Sequence, residues 1–267
     1  TMINFTLYKR GMRGIWKMLV IFAAVLTMYF TVIVTMFDPS YGNALDELAK
    51  TMPELMAIVG MSPASGELVS FMSAYLYGFI MLLFPMVCSI LASNKLVASL
   101  VDRGSMAYLT AAPVKRTTIA FTQMKVMATG LFALVIYATV LGIVTCELSF
   151  PGELAIGKFL MLNAGVLSLQ LFIGGICFLS SCIFNEVKYA TGVGAGIPAL
   201  AFIIQMMANA GAELENAKYA TFFTLFDSDG LIAGEASAMA GMAILFVGSL
   251  VLFGAAIAVF SRKDLHI

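Results

Sequence analysis

Histidine occurs once in the 267 residues, at His266, and charged residues make up only 11% of the chain. Without a second histidine there is no His-rich metal site, and a Ser-His or Cys-His nucleophilic site within the membrane-like stretches is excluded, so neither a catalytic nor a metal centre is expected. Cys88, Cys146, Cys177 and Cys182 sit in or beside apolar stretches with no C-x-x-C spacing. That pattern suggests neither a zinc site nor a disulfide framework, and reads as free thiols packed like small hydrophobes. The phosphate-cradling G-x-x-x-x-G-K-[ST] loop is also missing. Gly192-Val-Gly-Ala-Gly-Ile-Pro198 is glycine-rich but follows no strand and carries no Lys, so it reads as a flexible or kinked helix with close neighbours. If ATP drives this protein, another chain must bind the ATP and its Mg. A formal net charge of zero gives no reason to expect a nucleic-acid partner.

What the chain does have is grease. Hydrophobic residues account for 61%, against about 45–50% in a soluble domain. A water-soluble fold of this length would be left with large exposed apolar patches, whereas a lipid-embedded one is not. A helix crossing the hydrocarbon needs roughly 20 apolar residues. Six stretches qualify, at about residues 15–37, 68–92, 118–146, 159–184, 189–209 and 237–260. The first is longer than the apolar core of a signal peptide and no small-residue cleavage site follows it, so it is expected to stay as a span. The fold class expected is therefore an all-α integral membrane protein, one transmembrane domain over residues 1–267.

Charge patterning orients it. Of fifteen Lys and Arg, all but Lys50, Lys158 and Lys218 fall in the N-terminal segment, the loops after the second and fourth spans, and the tail. Of fifteen Asp and Glu, all but Asp102, Glu186 and Asp264 fall in the alternate segments. Basic residues in short loops stay in the cytoplasm, so both ends are expected inside. Outside, residues 43–61 have the spacing of short amphipathic surface helices, and Tyr219–Phe226 is too short to span and too apolar for water, which suits a re-entrant element.

No span holds a clear mid-depth charge, which argues against a proton-coupled carrier. Uncharged polar residues do occur there. Thr27, Thr31 and Thr35 share one face of the first span; Asn163, Ser168 and Gln170 lie in the fourth; Gln205 and Asn209 lie in the fifth. They serve either interhelical hydrogen bonds or the lining of a substrate path, for which Thr27, Thr31, Thr35, Asn163, Gln170 and Gln205 are the candidates. Gly234, Gly241, Gly248 and Ala255 recur every seven residues, a stripe that lets a helix of this chain or of a second copy approach closely.

The loop after the second span carries the most information. Leu96, Val97, Leu100 and Val101 form an apolar helical face, Asp102-Arg103 is a charged pair, Gly104-Ser105 can end one helix and cap the next, and Pro113 stops it before Lys115-Arg116. This loop resembles that of the type-2 membrane family of ATP-binding cassette exporters, in which an acidic-basic pair, Gly-Ser or Gly-Thr, a few apolar residues and Pro-Val precede a basic position. Asp102, Arg103, Gly104, Ser105, Leu109, Pro113, Val114 and Arg116 occupy that pattern, with Asp102 where the family more often has Glu. Leu7-Tyr-Lys-Arg10 with Arg13, Met52-Pro-Glu-Leu55 before Gly60, and Phe260-Ser-Arg-Lys-Asp-Leu265 are similar to other short patches of the family.

The resemblance implies a permease subunit of a bacterial exporter in the inner (cytoplasmic) membrane. Two such subunits, identical or sister chains, would surround the substrate path. Separate ATPase subunits would bind ATP and Mg, leaving this chain without a cofactor of its own. A cytoplasmic coupling helix between the second and third spans (Asp102, Arg103, Gly104, Ser105, Tyr108, Leu109, Pro113) would receive the ATPase, with Asn185, Glu186 and Lys188 as a lesser contact. Relatives export peptides, antibiotics, lipids or glycans. The competing expectations are an autonomous secondary transporter and a membrane scaffold or immunity protein, neither driven by ATP.

Overall fold

Asn4 starts the first helix by accepting a hydrogen bond from the Leu7 N–H at 3.1 Å, the usual device for an orphan amide at a helix start. The computed structural model describes residues 4–37, 51–53, 67–102, 114–210 and 218–262. Among them there is no strand, and six helices are long and apolar enough to cross a membrane. In chain order these are α1 (Phe5–Met36), α3 (Ile80–Asp102), α4 (Arg116–Ser149), α5 (Ile156–Ile183), α6 (Val187–Ala210) and α8 (Ala236–Arg262). Two shorter helices complete the set, α2 (Leu68–Tyr77) and α7 (Ser228–Ala233). The protein is a multi-pass, all-helical membrane protein.

The centre of the bundle is α5. Of its most apolar stretch 72% is buried within the chain, against 17% for α1, 22% for α6 and 28% for α8. The peripheral helices instead present Ile21, Met28, Ile136, Leu200 and Val251 outward, as lipid-facing helices do, because hydrocarbon solvates those side chains as well as a protein interior would. At 1.5 Å per residue α1 is about 48 Å long, more than the roughly 30 Å hydrocarbon layer, so its first turns reach the headgroups.

Charge segregates by end. The start of α1, the end of α3 and the starts of α4 and α6 meet at a basic end: the Asn4 N–H bonds Thr122 Oγ1 at 3.2 Å and Thr191 Oγ1 bonds Asn94 Oδ1 at 2.9 Å. At the opposite end Lys158 pairs with Glu67 at 3.0 Å, and Phe37 packs edge-on against Phe71 and Phe150.

The second span departs from its expected form. A continuous Leu68–Ala92 helix is expected; instead α2 ends in a π-helical turn, Ser73–Tyr77, and Phe79 breaks the helix with φ −133° and ψ −58°. Nor does α3 stop at Ala92. A second π turn, Asn94–Ala98, carries it to Asp102, so Leu96 and Val97 of the expected loop are buried in the bundle.

Proline tests the backbone accounting. Pro85, within α3, has no N–H for the Met81 carbonyl, and Pro198, within α6, has none for Gly194. Both gaps are met from α5. Gln170 Nε2 donates to Met81 O at 3.1 Å and to Leu82 O at 3.0 Å, and the Cys177 thiol donates to Gly194 O at 3.2 Å. These donors let α6, expected to be interrupted by its glycines and proline, run unbroken.

The small-residue stripe is used within the chain. A Cβ at Gly241 would strike the Leu225 carbonyl oxygen, and one at Gly248 would come within 2.8 Å of the Phe172 ring on α5. Gly234 does a different job: with φ +76° it closes α7 in the left-handed conformation a glycine adopts readily. Phe222–Leu225 of the expected re-entrant element is a single 3-10 turn, tucked in by Phe223 against Phe202 and by Phe222 against Phe172. Of the outer amphipathic stretch 43–61, only 51–53 lie among the described residues.

Candidate functional site

Two cavities lie at opposite ends of the bundle. The larger, about 1080 Å³, opens at the basic end between the starts of α1, α4 and α6 and the last two turns of α3. From α1 it is lined by Leu7, Arg10, Gly11 and Gly14; from α3 by Leu91, Asn94, Lys95, Leu96, Ser99, Leu100 and Asp102; from α4 by Gln123 and from α6 by Val187. The π turn positions the α3 contribution. A π turn carries an extra residue, so side chains beyond it are rotated away from regular helical register. Within the turn itself Asn94 meets Thr191, and the Lys95 stem crosses α1 with Cε 4.0 Å from the place of a Gly14 Cβ. Gly11 lets α1 and α4 close: a Cβ there would lie 2.9 Å from Val126 Cγ2 and 3.2 Å from Gln123 Oε1. Gln123 is 2% exposed, and its Oε1 has no hydrogen-bond partner among the described residues.

Two of the expected coupling segments reach this cavity. Asp102 is exposed and lines it. The turn joining α5 to α6 exposes Asn185, Glu186 and Lys188 and turns Val187 toward it. Arg103, Gly104, Ser105, Tyr108, Leu109 and Pro113 lie outside the described residues.

The smaller cavity, about 110 Å³, has room for several waters and sits beside the break between α2 and α3. Tyr77, Gly78 and Leu82 form one wall, Phe202, Gln205, Met206 and Asn209 of α6 another, and Phe223, Phe226 and Ser228 the rest. Of the expected path residues Gln205 lines it, and Asn163 and Gln170 each hold one of its lining residues. Gln205 faces it directly, its Oε1 accepting from Thr221 Oγ1 at 2.7 Å and from Thr224 Oγ1 at 3.2 Å. Asn163 holds its wall, accepting the Tyr77 hydroxyl at 2.9 Å while its own amide donates to Phe159 O. Gln170, fully buried, fixes Leu82 by the carbonyl bonds described above.

Thr27, Thr31 and Thr35 are elsewhere. Each returns its hydroxyl to a carbonyl of α1 four residues earlier, at 2.8, 2.8 and 2.9 Å. Thr31 and Thr35 are exposed, and Thr27 also bonds the Tyr137 hydroxyl at 2.6 Å.

The sequence reading passed over Tyr77, Lys95 and Gln123. A tyrosine beside Gly78 and a lone amide early in a span were the available signals, but their partners are remote in sequence. All four cysteines are buried thiols, and no group of three or more metal-ligating side chains occurs among the described residues. The chain matches no protein-family model, and no curated protein shows significant similarity to it.

Proposed function

We propose that this chain is the permease subunit of an ATP-binding cassette exporter in a bacterial cytoplasmic membrane, with its basic end inside the cell. In this reading separate ATPase subunits dock on the basic end and bind ATP and Mg, and a second permease subunit, identical or a sister, completes the substrate path.

One observation carries the reading. The two segments that the family resemblance assigns to the ATPase, remote in sequence, come to one end: Asp102 at the end of α3 lines the cavity, and so does Val187, which sits among the exposed Asn185, Glu186 and Lys188. A force applied there acts on α3 and α5 together. The α3 helix runs from the docking end to the break at Phe79, and Gln170 ties α5 to that break. A displacement of the basic end thus has a rigid route to the small outer cavity at Gln205. The least buried helix, α1, carries Thr31 and Thr35 on an open face, where a second permease subunit would pack.

The test is copurification. The chain, tagged and extracted gently from the membranes of the cell that makes it, should carry vanadate-sensitive ATP hydrolysis. Replacing Asp102 and Arg103 with Gly should remove that hydrolysis while the permease still elutes as a folded species. A wild-type preparation that transports in an ion gradient and holds no ATPase would overturn the proposal in favour of an autonomous carrier.

A further inference from the structure

The cavity at the basic end contains chemistry that docking a soluble partner does not use. Its depth follows from α1. Trp16 is 50% exposed and precedes Lys17, the pairing of aromatic and cation found at headgroup level. Arg10 lies six residues nearer the end of the helix, about 9 Å at 1.5 Å per residue, so the cavity mouth lies at or just beyond the phosphates. Arg10 and Lys95 enter from different helices, against a single described carboxylate, Asp102. Leu91 lines the cavity and is 46% exposed, so an apolar exit leads from it along α3 toward the hydrocarbon. Deeper in, Gln123 offers a buried acceptor oxygen with no partner among the described residues. A buried acceptor left unmet is unfavourable, so a ligand that donates to it gains relative to one that does not.

We infer that this cavity holds the headgroup of an anionic glycerophospholipid that carries a hydroxyl donor, as phosphatidylglycerol does. The phosphodiester lies between Arg10 and Lys95, the glycerol hydroxyl donates to Gln123 Oε1, and the acyl chains leave over Leu91. Lys95 suits this role because its stem lies against α1 while the side chain is exposed enough for its ammonium to reach a phosphate. The inference does not depend on an ATPase partner, and a lipid can occupy the site in the isolated chain.

The experiment uses the full chain, delipidated in a neutral detergent and titrated by native mass spectrometry with phosphatidylglycerol, phosphatidic acid, phosphatidylcholine and soluble glycerol 3-phosphate. Phosphatidylglycerol should bind at least tenfold more tightly than phosphatidylcholine. Arg10→Gln and Lys95→Gln should each weaken it about fivefold or more, while Lys9→Gln, outside the cavity, changes it less than twofold. Gln123→Met should erase the preference for phosphatidylglycerol over phosphatidic acid and leave the preference over phosphatidylcholine. Glycerol 3-phosphate should compete only at far higher concentration; equal competition would assign the site to a free phosphate and overturn the lipid. Equal binding of all three lipids, or indifference to both Arg10→Gln and Lys95→Gln in chains that elute as the wild type does, would overturn the site altogether.

Discussion

Replacing Gln170 with Met tests the most specific structural linkage in the bundle. Methionine keeps the length and nearly the volume of the side chain but cannot donate. Leu82 O still has the helical Met86 N–H in register, whereas Met81 O has only Gln170, because Pro85 supplies no N–H. One buried carbonyl is therefore orphaned. That is worth about 1–3 kcal/mol when no other donor arrives, while measured interhelical hydrogen bonds in membrane proteins average about 0.6 and reach about 1.7 kcal/mol. A loss of about 1–2 kcal/mol is expected. The diagnostic is a double-mutant cycle with Pro85→Ala, which restores the backbone donor. In that background Gln170→Met should be destabilising by less than about half as much, a coupling near 1 kcal/mol. Unfolding in mixed micelles by SDS titration, followed by circular dichroism, measures all four free energies. Equal losses in the two backgrounds would refute the idea that Gln170 substitutes for the missing amide of proline.

The same logic predicts a smaller effect at α6: Cys177→Ala should be mildly destabilising, by less than Gln170→Met because a thiol is a weak donor, and Pro198→Ala should suppress that effect. Gly142→Leu should lower the thermal midpoint, since a side chain there runs into the Phe159 ring and meets Phe30 at 3.0 Å; overpacking of this kind is unfavourable by about 1–3 kcal/mol. Cys88, Cys146, Cys177 and Cys182 should all resist a bulky maleimide in the native protein and react only after unfolding, read as mass shifts. Brisk native labelling of any one would contradict its burial.

Long apolar periods were the easiest feature to read in the sequence. The third and fourth spans, expected at 118–146 and 159–184, are observed as Arg116–Ser149 and Ile156–Ile183, because length and hydropathy alone decide them. The second departs from its expected bounds, while the fifth, expected at 189–209, is observed as Val187–Ala210 but without the interruption its glycines and proline suggest. A continuous span over 68–92 is expected, yet the helix breaks at Phe79; Pro198 among glycines suggests an interrupted or kinked helix, yet α6 is continuous. At both prolines a donor from α5 meets the carbonyl left open, 89 residues from Met81 in one case and 17 from Gly194 in the other. Local propensity carries no record of such a partner. The candidate polar residues read equally as interhelical hydrogen-bonding groups or as path lining, and pattern alone does not separate Gln205, which faces a cavity, from Thr31 and Thr35, which bond their own helix on an open face. The convergence of Asp102 with the α5–α6 turn is likewise tertiary, set by the π turn at Asn94–Ala98.

As proposed, the basic end docks an ATP-hydrolysing partner inside the cell. A photo-crosslinking residue in place of Lys188 at that end, or of Lys158 at the other, tests it in intact cells. An adduct with a soluble ATPase chain is expected from position 188 and none from position 158. An adduct with such a chain from position 158, or none from position 188 while the protein is transporting, would contradict it.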